Sequence, residues 1–258
     1  MLFSLSGHSD SVECVVWGGA GLLYSCSRDR TIKVWRAEDG ILARTLTGHG
    51  HRVNFIALST AYACRTGFHQ PLQERRMVQS SGKEAEEEKS ENEEERFQRD
   101  ALSYYSRIRG EGGERLVSCS DDFSLILWNP EESKKPICRM TGHQQAVTHI
   151  QFSPNGLRIA SASFDKKIKI WDGVSGAFLA TLSSHVGAVF QVVWSCDSRY
   201  LVTASKDSTV KLWKSSNWSK LYHNLPGHQD EVYALDWSPS ASSVCSGSKD
   251  RTIKIWKN

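Results

Sequence analysis

The sequence predicts an all-β chain of repeated four-stranded units, the architecture of a β-propeller, and three observations predict it. The first is a register of residues that keeps returning. His228, Val232, Trp237, Asp250 and Trp256 set it, with the His and the last Trp 28 positions apart. His185, Val189, Trp194, Asp207 and Trp213 repeat it, as do His143, Val147, Phe152, Asp165 and Trp171, and a copy with His8, Val12, Trp17, Asp29 and Trp35 is one residue shorter. A further copy opens with His49 and Val53 and closes with Asp122 and Trp128, its halves separated by more than fifty extra residues. The second observation is the short alternating runs, VECVVW, LLYSCS and TIKVW, broken by turn residues, which read as strands of about five residues. The third is one more such run ahead of the Gly-His pairs, ILARTL for example, which brings the count to four strands at the period of a propeller blade.

Taken in order, Leu2 to Leu5 is a candidate outer strand, and the repeats fall near 1–35, 36–128, 129–171, 172–213 and 214–258, forming one unit over 1–258. A propeller buries its apolar surface between blades, so 258 residues need no second domain. Residues 59–114 interrupt the second repeat between its first two strands. The run EAEEEKSENEEER there is expected to be solvated and disordered. After it, Phe97, Leu102, Tyr105 and Ile108 are spaced to form one face of a short helix. The insertion reads either as an inert solvated loop with a docked helix or as a binding appendage.

A net charge of +3 and a pI near 8.4 are mildly basic and exclude little. The opening MLFSLSGHSD has no basic flank and too short an apolar run for a leader, and no stretch is long enough to span a membrane. Seven cysteines without CxxC or paired spacing read as structural thiols of a reducing compartment, cytosol or nucleus. There is no phosphate-binding glycine loop, no GxSxG and no HExxH, and His49 with His51 reads as polar surface. No catalytic, cofactor or metal site is expected, and the chain is not expected to be an enzyme.

The chain resembles the WD40 family. Gly-His opens four copies and Ser-His the fifth, Trp171-Asp172 is a true WD pair, and the other tryptophans are followed by Arg36, Asn129, Lys214 and Lys257. Each copy holds a His, a hydroxyl, an Asp and a Trp: His8, Ser25, Asp29, Trp35; His49, Ser118, Asp122, Trp128; His143, Ser161, Asp165, Trp171; His185, Thr203, Asp207, Trp213; His228, Ser246, Asp250, Trp256. Such a set in one place would suggest a hydrolase triad. Catalysis needs one site, so a set present in every copy reads as a folding device, the tetrad that the resemblance implies.

The five repeats either close on themselves or form the C-terminal part of a larger ring. The resemblance favours the second, since WD40 rings more often have seven or eight blades. It also implies that the turns between second and third strands gather on one face. The residue before each tetrad Asp is then a ring position: Arg28, Asp121, Phe164, Lys206 and Lys249. Arg30, Lys166, Lys167 and Arg251 flank these, and Glu13, Asn54, Thr148, Phe190 and Tyr233, each following a register Val, join them. Arg28, Arg30, Phe164, Lys166, Phe190, Lys206, Tyr233, Lys249 and Arg251 are the candidate partner-binding face, suited to a phosphate backbone, a phosphorylated peptide or an acidic segment.

Several stretches are closer to one branch of the family: GGERLVSCSDDFSLILWNP, KKPICRMTGHQQAVTHIQFSPNGLRIASASFDKKIKIWDG, LPGHQDEVYALDWSP, and the insertion from VNFIALSTAYACRTGFHQ to SYYSRIRG. That branch assembles the large (60S) ribosomal subunit. The resemblance implies docking on the precursor particle, protein and rRNA, in the nucleus and nucleolus, with the cytoplasm as a further location. It also implies an N-terminal ubiquitin-like domain that engages the ATPase midasin. The 258 residues hold no such domain, which counts against a midasin contact. Two alternatives stay open: a signalling or ubiquitin-ligase adaptor, including a Notch-pathway role, that binds acidic or phosphorylated peptides, and a fragment that cannot close its ring. No membrane, cofactor or small-molecule substrate is implied.

Overall fold

The strands are rich in β-branched and aromatic residues, which pack well on a pleated surface, and the computed structural model, which describes residues 4–66 and 93–257, arranges them as antiparallel sheets. The first sheet runs β1 (Val12–Trp17), β2 (Leu22–Ser27), β3 (Thr31–Arg36) and β4 (Leu42–Thr47). The second is β5 (Val53–Leu58), β6 (Leu116–Ser120), β7 (Leu125–Trp128) and β8 (Pro136–Met140). The third and fourth are β9 (Val147–Phe152), β10 (Arg158–Ser163), β11 (Ile168–Asp172), β12 (Phe178–Leu182), then β13 (Val189–Trp194), β14 (Tyr200–Ser205), β15 (Val210–Lys214), β16 (Asn217–Leu225). The fifth has three strands among the described residues, β17 (Val232–Trp237), β18 (Ser243–Ser248) and β19 (Ile253–Lys257). Strands neighbour each other in chain order, so every connection within a sheet is antiparallel. The sheet is offset by one strand from the sequence repeat: β4 follows Trp35 yet pairs with β3.

The core lies between sheets. Tyr24, Cys26, Ile32 and Leu46 of the first sheet meet Val53, Ile56, Leu116 and Trp128 of the second in one buried cluster. Val117, Leu125 and Leu127 meet Val147, Ile150 and Ile159 at the next joint. The third and fourth joints are filled the same way, by Ile168 and Ile170 with Val192 and Leu201, then by Val202 and Val210 with Val232 and Leu235. The sheets are thus blades, each stabilised by its neighbours.

The inner strands β1, β5, β9, β13 and β17 pack in succession, with no comparable packing of β17 on β1 among the described residues. Equivalent positions show the result. Trp17 is 62% exposed where Trp194 is 3%, and Ile253 is 78% exposed where Ile32 is 1%. The described blades therefore form an open arc with one bare apolar face at each end, not a closed five-bladed ring. The candidate outer strand Leu2 to Leu5 lies partly outside the described residues, and Ser4 and Leu5 carry no strand.

Among the described residues the insertion carries two helices, α1 (Ala61–Thr66) and α2 (Glu93–Arg109). Most of the Glu-rich run lies outside the described residues. α2 docks through Tyr105 and Ile108, but Leu102 is exposed, against expectation, and the Phe97 side chain is not among those described. At 100° per residue Leu102 lies about 120° round the helix from Ile108, off the docked face. The anchor is Glu114, a fully buried carboxylate. It accepts hydrogen bonds from Gly19 N–H (2.8 Å), the Thr60 hydroxyl (2.7 Å), the Tyr105 phenol (3.1 Å) and the Tyr24 phenol (3.3 Å). Burial, then this carboxylate, pushes both phenols far up in pKa. Glu131 accepts from Glu114 N–H at 2.8 Å and pairs with Arg109, while the Tyr104 phenol reaches the Pro154 carbonyl at 3.2 Å. One helix so ties together blades one, two and three. Gly19 must be glycine here, because a Cβ would lie 2.2 Å from the Tyr105 ring.

Nearest-neighbour stabilisation predicts that Ile56→Ala, at the first joint, costs about 2–5 kcal/mol in urea denaturation. Amide exchange should rise in blades one and two and stay unchanged in β13–β18.

Candidate partner-binding face

The structure brings each of the five tetrads together. In blade one the Trp35 indole donates to Ser25 Oγ (2.9 Å), the Ser25 hydroxyl meets His8 Nε2 (2.8 Å), and His8 Nδ1 meets Asp29 (2.7 Å). A carboxylate only accepts, so Nδ1 carries the proton and Nε2 accepts from the serine. Hydrogen bonds therefore run in one direction, Trp to Ser to His to Asp. The same chain joins Trp128, Ser118, His49 and Asp122 (2.9, 2.8, 3.0 Å) and Trp171, Ser161, His143 and Asp165 (2.9, 2.8, 2.8 Å). It recurs in Trp213, Thr203, His185 and Asp207 (3.1, 2.8, 2.8 Å) and in Trp256, Ser246, His228 and Asp250 (2.9, 2.8, 2.8 Å). The hydroxyls are buried and committed on both sides, so none is placed to attack a substrate.

Each Asp does more than orient its histidine. Its Oδ2 also accepts the backbone N–H after the histidine, from Ser9, Gly50, Gln144, Val186 or Gln229, at 2.8–3.1 Å. Its Oδ1 accepts the N–H two residues on, from Thr31, Ser124, Lys167, Thr209 or Thr252. Those bonds hold the residue between in the left-handed region: Arg30, Phe123, Lys166, Ser208 and Arg251 have φ of 69°, 66°, 69°, 64° and 67°. Burial alone would raise the Asp29, Asp122, Asp165 and Asp207 carboxyls. The hydrogen bonds outweigh it and hold all four well below the usual range, Asp165 at about 2, and in Asp250 the Thr252 hydroxyl leads the same lowering.

The tetrads position the face. Each inner strand slips register after its first valine, at Glu13, Asn54, Thr148, Phe190 and Tyr233, and such bulges re-aim a side chain. The bulge residues then meet the ring positions. Glu13 pairs with Arg28, Asn54 donates to Asp121 (2.7 Å), and Phe190 packs edge-on against Phe164 (centroids 6.2 Å apart) and tilted against Tyr233 (4.9 Å). Phe164, Lys166, Val186, Phe190 and Lys206 line an open hollow of about 700 Å³ between blades three and four.

The cations are present, and three of the six on this face lie beside carboxylates. Besides Arg28, Lys206 lies 3.5 Å from Glu231 and Lys249 3.7 Å from Asp230, while Asp121 accepts Arg52 at 2.6 Å. Arg30, Lys166 and Arg251 stand outside these pairs, exposed in their left-handed turns. Asp230 and Glu231 escaped the sequence reading because their loop, HQDEV, could equally have faced solvent.

Also unforeseen is a row of links between inner strands. Asn54 donates to the Val147 carbonyl (2.9 Å), Thr148 to that of Val189 (2.8 Å), and Gln151 and Gln191 accept from Trp194 and Leu235 N–H (both 2.7 Å). Within this row His149 stacks 4.4 Å from Phe55 with its Nδ1 unbonded, and burial pulls its pKa down to about 4.

Two outcomes follow for urea denaturation. Ser161→Ala leaves the Trp171 indole and His143 Nε2 unpaired, at about 1–3 kcal/mol each, whereas Ser161→Thr, matching Thr203 of the next blade, stays near wild type. Against pH, a group more readily protonated in the unfolded chain withdraws stability as pH falls. For His149 the window runs from the unfolded value of about 6.5 down to about 4, and His185, also lowered by burial, acts in the same direction below its unfolded value; the tetrad aspartates act below about 4. His149→Phe should flatten the upper limb and leave the lower one.

Comparison with known proteins agrees with this geometry. The family model described as WD domain, G-beta repeat matches residues 1–36, 134–172, 176–214 and 219–257. The chain is 48% identical to Protein Notchless of Drosophila melanogaster over 154 residues, 60% of this chain and 29% of the relative. It is 46% identical to Ribosome assembly protein 4 of Saccharomyces cerevisiae over 183 residues, 69% of this chain and 33% of the relative. A Notchless protein homolog of Arabidopsis thaliana is 53% identical over 87 residues, 34% of this chain and 18% of the relative. The chain thus spans a third or less of these relatives. With the repeat matched over more than half its length and a tetrad in every blade, the chain belongs to the WD40 family.

Proposed function

We propose that this chain is a non-catalytic scaffold that docks on a precursor of the large ribosomal subunit, in the nucleus and nucleolus, and that the Phe164–Phe190–Tyr233 row is its docking anchor. The observation that carries the reading is the 46% identity to Ribosome assembly protein 4, with the aromatic row, exposed at Phe164 and Tyr233 and half-buried at Phe190, as the surface available for docking. The aromatic row, with carboxylates beside three of the six cations, favours a protein segment of the particle over a bare phosphate backbone as the partner at this face: cations already paired with carboxylates release few counterions on binding, while buried aromatics supply most anchor energy. The bare faces of the first and last blades are suited to further blades of a longer protein.

Gradient sedimentation of the tagged chain from nuclear extract tests this. The chain should travel with large-subunit precursor RNA and return to the top after nuclease treatment. Phe190→Ala, removing an anchor of about 2 kcal/mol, should weaken association about thirtyfold. Lys166→Ala should act less and mainly at low salt. A chain that stays at the top from the outset overturns the docking reading and moves a soluble adaptor role forward.

A further inference from the structure

Cys14 on β1 and Cys26 on β2 are directly opposite one another. The bulge at Glu13 makes them so. Val12 faces Ser27, and a regular ladder from there would set Cys14 against Ser25; the extra residue moves Cys14 to Cys26 and leaves Val15 facing Ser25. Opposed residues of an antiparallel pair have Cα atoms about 4.5 or 5.5 Å apart, and a disulfide spans about 4.4 to 6.8 Å. Both thiols turn to the next blade, Cys14 Sγ to the Ile56 carbonyl at 3.9 Å and Cys26 Sγ to the Val53 carbonyl at 3.7 Å. They also interact with each other: the Cys14 thiol beside it, then burial, holds the Cys26 thiol far above its usual pKa. The equivalent pairs elsewhere are Phe55 with Cys119, His149 with Ala162, Gln191 with Ala204 and Ala234 with Gly247, so the first blade alone sets thiol against thiol.

We propose that Cys14 and Cys26 are a redox-active dithiol, oxidised to a cross-strand disulfide by glutathione disulfide. Cys14 is half-buried and Cys26 fully buried, so Cys14 meets the oxidant first. It loses its proton to solvent, and its thiolate attacks one glutathione sulfur, forming a mixed disulfide and releasing one glutathione thiolate. Cys26 then gives up its proton and attacks Cys14 Sγ, forming the intrachain bond and expelling the second glutathione. Two cysteines are oxidised and one glutathione disulfide is reduced to two thiols. Oxidation staples β1 to β2 and withdraws both S–H donors from the β5 carbonyls, so the change reaches the joint between blades one and two. The hydroxyl and amide links of the later joints are untouched.

The test is incubation of the folded, reduced chain in glutathione buffers of increasing oxidation, then acid quench, alkylation and peptide mapping. Two of the seven thiols should disappear together, with one cross-link joining Cys14 to Cys26. Cys26→Ala should stop at glutathionylated Cys14; alanine fits that place, as Ala162 and Ala204 occupy it in other blades. Cys14→Ser should leave Cys26 reduced. Retention of all seven thiols, glutathione persisting on Cys14 of the unaltered chain, or a cross-link through Cys64 or Cys119 overturns the proposal.

Discussion

The structure depends on five partly buried aspartates, each with only 4–13% of its side chain exposed, which must find enough donors to remain carboxylates with little water around them. An unpaired charge there would be far costlier than any single hydrogen bond is worth. Each Asp solves this by gathering donors from segments far apart in sequence: an imidazole and an amide from the loop before the inner strand, an amide and in most blades a hydroxyl from its own turn. The loop, the turn and, through serine and tryptophan, the second and third strands are fixed at once. The glycine of Gly-His follows from the same packing. Gly7, Gly142 and Gly227 have φ of 156°, 141° and 148°, which side chains rarely adopt, and a Cβ on Gly7 would press 3.3 Å from the Trp35 ring.

With each blade held rigid, stability and recognition separate. Stability lies in the apolar joints and the links between inner strands. Recognition lies in the bulge residues and left-handed turns, which contribute little to the core and vary freely from Glu13 to Phe190 and from Arg30 to Ser208. That division lets a fold with one repeated skeleton carry a different surface in every blade.

The tetrads and the blade count were legible because the spacing from His to Trp is set by strand length and turn type, which leave little freedom. The ring positions were legible for the same reason, each being one residue from a tetrad Asp. What stayed hidden depends on where side chains point. A carboxylate at Glu231 is drawn to Lys206 by the curvature that brings two blades together, and no spacing rule encodes that curvature. Leu102 looked like core because three-residue spacing is ambiguous at the edge of a helix face. The opposition of Cys14 and Cys26 was invisible because a bulge changes the register by one, and a bulge has no sequence signal here.

Blade two is the exception to the chain's regular build. Its first hairpin must join β5 to β6 across residues 59–115 instead of a tight turn. Closure entropy grows only logarithmically, so the longer loop costs about 2 kcal/mol more than a four-residue turn. The kinetic effect is larger, since distant pairings form late. Glu114, two residues before β6, meets Gly19 and Tyr24 of blade one. The residue that ends the long loop is therefore also the one that seats blade two on blade one.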